Sequence, residues 1–129
     1  MTPPQTQTPP ARLSESQIQS QVRHFLAAQA IDSVHFANGA VLAGDKVARA
    51  KQINKLKKAG MVVGAADLIL FDRRFVRRVG FFEIKAEGGR VSPQQIAFGE
   101  LATGVWGLPY AVVRSVEDAR ESLAEWGWR

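Results

Sequence analysis

The chain has 129 residues and a mass of 14.1 kDa, the size of one ordinary domain. A hydrophobic content of 46% suffices for one packed core, and the absence of cysteine excludes a disulfide scaffold, a thiolate zinc site and a cysteine nucleophile. Seventeen Lys and Arg against twelve Asp and Glu leave a net charge of +5, which favours polyanionic partners, nucleic acid first and anionic membrane second.

Residues 1–12 hold four of the six prolines among Thr and Gln and read as a flexible tail; a single domain is expected over 13–129. The N-terminus lacks a signal-peptide pattern and there is no long apolar run, so a soluble, cytoplasmic protein without membrane contact is expected. Ser14 and Gln17 form a capping box, and Ile18, Val22, Phe25 and Leu26 recur at helical spacing, which predicts a helix from about Glu15 to Ala30. Ser33 to Ala37 alternates as a short strand before the Asn38-Gly39 turn. Lys46, Arg49, Lys51, Lys55, Lys57 and Lys58 then follow without an acid, on a helix or a loop that Gly60 ends. Ala66 to Phe71 and Phe75 to Ala86 read as two strands joined by a hairpin turn at Asp72-Arg73-Arg74. Ser92-Pro93-Gln94-Gln95 starts a helix running to about Val105. Tyr110 to Arg114 is a further core strand, and Ser115 caps a last helix whose Val116, Ala119, Leu123 and Trp126 lie on one side. The order helix-strand-strand-strand-helix-strand-helix predicts an α/β fold with a central mixed sheet flanked by helices.

Chemistry concentrates in Gly64-Ala65-Ala66-Asp67-Leu68 and Phe82-Glu83-Ile84-Lys85. Strand alternation puts Glu83 and Lys85 on one face, and the hairpin brings Asp67 opposite that end of its partner strand. Two carboxylates beside a lysine at the edge of an apolar hairpin are costly unless paired, hydrated or bound to a cation. The set suits phosphodiester hydrolysis. Asp67 and Glu83 supply hard oxygens for Mg2+ or Mn2+, the main-chain carbonyl of Ile84 adds a third, and Lys85 orients the attacking water or offsets charge on the phosphorus. A Glu-x-Lys spacing alone is more often a solvated strand face; Asp67 at hairpin distance is what raises it above that.

These residues resemble the VRR-NUC domain of the PD-(D/E)XK nuclease superfamily over about Glu15 to Arg114. The resemblance runs through Glu15, Lys57-Lys58-Ala59-Gly60, Gly64-Ala65-Ala66-Asp67-Leu68, Glu83-Ile84-Lys85, Arg90-Val91-Ser92-Pro93-Gln94-Gln95 and Gly107-Leu108-Pro109-Tyr110-Ala111-Val112-Val113. Ala66 departs from the family's proline before the aspartate, a position that contributes no ligand. The resemblance implies a restriction-endonuclease-like core and a metal-dependent DNA endonuclease, structure-selective on branched DNA such as a Holliday junction or flap. It implies a homodimer of phage or bacterial type. It also places Gln95 and Glu15 with the catalytic residues. Each has a plainer role: Gln95 closes a capping box, and Glu15 is an acid favoured in the first turn of a helix. Gln95 is expected to fill one role or the other in a given rotamer.

The basic run Lys46 to Lys58 is the expected phosphate-contacting surface, and Arg73, Arg74, Arg77 and Arg78 form a second cluster at the hairpin turn, remote from the carboxylates. His24 and His35 have no partners at ligand spacing and read as structural or surface residues, and Glu87, before Gly88-Gly89, as having left the sheet. Trp126 is expected to pin the last helix to the core, and Trp106 and Phe98 to lie in the core or an interface. The rival reading is a non-catalytic nucleic-acid-binding module on a nuclease-like fold, which rests on the net charge and the basic run Lys46 to Lys58.

Overall fold

The computed structural model describes residues 12–36, 44–58, 64–75 and 78–129. The expected tail before Arg12, the turn at Asn38-Gly39, the helix-ending Gly60 and Arg77 lie outside them, as does the side chain of Lys57. The elements are α1 (Glu15–Ala28), β1 (Ile31–His35), α2 (Lys46–Lys58), β2 (Leu68–Asp72), β3 (Val79–Ile84), α3 (Pro93–Gly104), β4 (Tyr110–Val113) and α4 (Val116–Glu125). The fold is α/β, with four strands in one open mixed sheet ordered β1-β2-β3-β4. The first two pairings are antiparallel and β3 with β4 is parallel, reached through α3. None of these helices is long and apolar enough to cross a membrane.

Local sequence explains the helix starts. Ser14 Oγ accepts from the Gln17 N–H while Gln17 Oε1 accepts from the Ser14 N–H, and Ser92 and Gln95 repeat the arrangement at α3. Ser115 caps α4 by accepting from the Asp118 N–H, and the Asp118 carboxylate accepts from Arg114 N. Asp45 caps α2 by accepting from Ala48 N. These bonds satisfy main-chain donors that a helix end leaves without partners.

Strand alternation divides the sheet into two faces. Leu68, Leu70, Phe82, Ile84 and Val113 point to α1 and α4, where Ile18, Val22, Leu26, Ala119 and Leu123 complete the main core. Phe81, Ile69 and Tyr110 point to α3 and meet Phe98 and Ala102. Phe82 and Leu68 are wholly buried, each burial stabilising the fold by roughly 1.5–3 kcal/mol. Trp126 packs on Phe82 at 5.3 Å between ring centroids and Trp128 on Trp126 at 5.2 Å, so the last helix is pinned as expected. Gly80 makes room, since a Cβ there would stand 2.8 Å from the Trp126 ring. Phe98 is buried, whereas Trp106 covers Phe81 and Phe98 and stays half exposed.

Several boundaries differ from the sequence expectation. The basic run is a helix, α2, which the expected element order left out. β1 starts at Ile31 instead of Ser33, because Ile31 is the core residue of the strand and Ser33 only half-buried. β2 covers 68–72 instead of 66–71, and β3 starts at Val79 instead of Phe75. The cause is Asp72. Read as a turn residue, it is 5% exposed; it holds the Arg129 guanidinium through two bonds of 2.8 and 2.9 Å and accepts from the Arg74 N–H. Arg78 approaches the same carboxylate at 3.6 Å and stacks on Phe75 at 3.9 Å. Asp72 N–H donates to Arg78 O, and Arg73, Arg74, Phe75 and Arg78 are not strand. Arg129 also donates to the Gln29 carbonyl, joining the last residue to the end of α1.

Candidate active site at the end of the sheet

Asp67 lies one residue before β2. Leu68 pairs with Phe82, so the same register sets Asp67 opposite Glu83. The Asp67 Oδ2 accepts the Ile84 N–H at 2.7 Å, which fixes the side chain against β3. A residue in a strand projects its N–H and C=O to the same side, so the Ile84 carbonyl faces the Asp67 side as well. The Lys85 N–H turns the other way, to Val113 O at 3.1 Å.

Glu83 shares its face with Phe81 and Tyr110, as alternation requires, and is 2% exposed beneath the start of α3. Its Oε1 accepts from Gln95 Nε2 at 2.8 Å, while its Oε2 is buried without a hydrogen-bond partner. Burial, first, and then the negative charge of Asp67 push the Glu83 carboxyl up to about 8; a hydrogen bond between the two carboxyls in the protonated form adds to this, and Lys85 opposes it. Near neutral pH the pair therefore retains a proton. Tyr110, half-buried on the same face, has its hydroxyl pushed upward by burial and by the charges of Glu83 and Asp67.

The Gln95 expectation is corrected in one respect. A single rotamer closes the cap and reaches the carboxylate: Gln95 Oε1 accepts from Ser92 N at 2.8 Å, and Nε2 of the same amide donates to Glu83. Gly64 brings the Asp67 loop against this helix. Its φ is +84°, and a Cβ there would lie 2.4 Å from the main-chain carbon of Gln94. Arg114 holds the segment after β3 by donating to Ala86 O at 2.7 Å, beside half-buried Lys85.

Glu15 is not drawn into the acidic cluster. α1 runs antiparallel to the direction of β1, so its first turn comes to the site end of the sheet, where Arg12 and Glu87 approach at 4.0 Å. Glu15 itself is exposed, forms no hydrogen bond or ion pair with a described residue, and is not among the charges acting on Glu83. It stays a first-turn acid in the helix field. Glu87 is exposed beyond the strand, as expected.

Lys46, Arg49, Lys51, Lys55 and Lys58 are all exposed on α2, and Val47 beside them is 64% exposed. Arg73, Arg74 and Arg78 stand at the hairpin end, opposite the carboxylates, where Arg73 already pairs with Asp32 at 3.5 Å. Sequence reading missed His35. Its Nδ1 lies 3.1 Å from the Asp67 carbonyl, across 32 residues of chain that no local pattern bridges.

The donor set fits a small hard cation. Glu83 Oε2 is an orphaned buried carboxylate oxygen, Asp67 lies next to it, and the Ile84 carbonyl faces the same side. The set contains two carboxylates; among the described residues no three His, Cys, Asp or Glu side chains cluster for a metal. Comparisons with protein-family models, curated proteins and solved structures return no match for this chain.

Proposed function

We propose that the chain is a metal-dependent DNA endonuclease of the VRR-NUC type on a restriction-endonuclease-like core. The observation that carries this reading is the buried, unpartnered Oε2 of Glu83 next to Asp67. A carboxylate so placed is stabilised by a proton or by a cation, and it has no role in packing that an apolar side chain would not fill better. Asp67, Glu83 and the Ile84 carbonyl would hold Mg2+ or Mn2+. Such an ion, when bound, supplies Lewis-acid polarisation of a phosphoryl oxygen.

The chain's own groups account for the rest. Gln95 occupies one oxygen of Glu83 and leaves the other for the ion. Lys85, on the Glu83 face and half-buried, offsets charge that builds on the phosphorus and orients the attacking water. The exposed cations of α2 contact the phosphate backbone and position DNA without reading its sequence. Substrates with junctions or flaps are the expected class. A second copy of the chain is the expected partner, and the exposed Val34, Phe36 and Phe71 on the sheet face beyond α3 offer it an apolar surface.

The test is cleavage of labelled duplex, single-stranded, flap and four-way-junction DNA with Mg2+, Mn2+ or EDTA. Cutting that requires metal and is abolished in Glu83→Ala and Asp67→Ala is the expected result. Unchanged cleavage by Asp67→Ala would sink the assignment. The rival, a binding module without catalysis, predicts salt-sensitive DNA binding with no cutting and no metal-dependent rise in melting temperature.

A further inference from the structure

The Asp67 carboxylate depends on a peptide that no strand contains. β2 begins at Leu68, so Asp67 lies just outside the ladder, after the turn at Gly64. Two donors converge on its carbonyl oxygen. Phe36 N–H donates at 2.9 Å, extending the β1–β2 pairing by one step, and His35 Nδ1 lies at 3.1 Å. A carbonyl oxygen only accepts, so the imidazole carries its proton on Nδ1 in this contact. The two bonds use both lone pairs of that oxygen. They fix the plane of the peptide from which the Asp67 side chain reaches Ile84 N–H.

We propose that His35 is a positioning residue of the metal site, acting through the Asp67 main chain. The proposal rests on the reading of Asp67 as a ligand, and it assigns to an exposed histidine a function that its place on an edge strand does not require. Packing is not that function: the His35 side chain is exposed and belongs to neither buried core. Outer partners of this kind hold a ligand in the orientation the ion needs, and their loss typically weakens metal binding by about 10–100-fold.

The experiment compares wild type, His35→Ala and His35→Asn in the full chain. The Asn amide can offer an N–H near the place of Nδ1–H, so it separates loss of the donor from loss of the ring. Two quantities are read. One is the amide proton shift and exchange rate of Ile84 by NMR in metal-free protein; the other is Mn2+ affinity by calorimetry. In His35→Ala, the Ile84 amide is expected to move upfield and exchange faster, and Mn2+ to bind about tenfold more weakly. His35→Asn restores most of both, and the melting temperatures of the three proteins stay close. An Ile84 amide and an Mn2+ affinity unchanged in His35→Ala overturn the proposal, as does an equal loss in His35→Asn and His35→Ala. If wild type binds no Mn2+ but Ile84 responds to His35→Ala and recovers in His35→Asn, the positioning role stands and the metal reading fails.

Discussion

Gln95 divides its side-chain amide between Ser92 and Glu83. The oxygen closes the helix cap at 2.8 Å and the nitrogen holds the buried carboxylate at 2.8 Å. Stability at the start of α3 and the orientation of a candidate ligand are thereby one structural fact. Gln95→Ala removes both bonds. A loss of about 1–3 kcal/mol is expected in chemical denaturation, together with weaker Mn2+ binding. Loss of stability with full metal affinity would confine Gln95 to the cap.

Glu83 makes stability depend on pH with a definite sign. Its folded carboxyl titrates at about 8 and its ordinary value is 4.5, so between these limits the native state binds a proton that the unfolded chain lacks. Stability should therefore fall as pH rises through this window, with the full penalty present above about pH 8 and none below about 4.5. Glu83→Gln mimics the protonated form. It should stabilise the fold at pH 8.5 by on the order of 1–3 kcal/mol, seen as a higher melting temperature, and change little at pH 4. A melting curve at pH 8.5 no more stable than wild type would contradict the burial argument.

The same proton must leave when a cation takes its place. Mn2+ affinity should rise from pH 6 to 8.5, and calorimetry in buffers of different ionisation enthalpy should detect about one proton released per ion near neutral pH. Affinity independent of pH would mean that the ion binds away from Glu83.

At the far end of the sheet, Asp72 and Arg129 form a buried pair. The Arg129 bond, first, and then the Arg74 N–H hold the Asp72 carboxyl below its ordinary value, against the opposing effect of burial. Arg129→Ala leaves that carboxylate with the Arg74 N–H and with Arg78 at 3.6 Å, and a loss of about 3–5 kcal/mol is expected in urea denaturation. The contribution of Asp72 is present above its unfolded pKa and fades as pH falls through the folded value, so wild type and Arg129→Ala should converge in acid.

What could be read from the sequence was local. Ser14 with Gln17, and Ser92 with Gln95, are three residues apart, and both boxes form as written. The facing of Glu83 with Phe81 follows from a two-residue period, but its registration against Asp67 does not follow from the sequence: a tight turn at 72–74 would set Asp67 opposite Val79, and only the longer connection after Asp72 brings Glu83 there. The rest depends on long-range partners. Nothing near Asp72 announces a guanidinium 57 residues away, so the hairpin read as tight where the chain makes a longer connection. The few apolar residues of the α2 sequence are scattered among lysines and give only a weak helical period, so its charge was legible and its structure was not. The second function of Gln95 needed a carboxylate 12 residues earlier on another element.

Gly64 joins these scales. Its contact with the Gln94 main chain is between backbones, with no side chain that another residue type could replace. Two segments thirty positions apart in the chain are thus jointly constrained at this point. A methyl group added there acts as a wedge between the loop that carries Asp67 and the helix that carries Gln95. Its effect would be felt as a parting of the Asp67 loop from that helix, and with it of Ala66 from the small core it shares with Phe98.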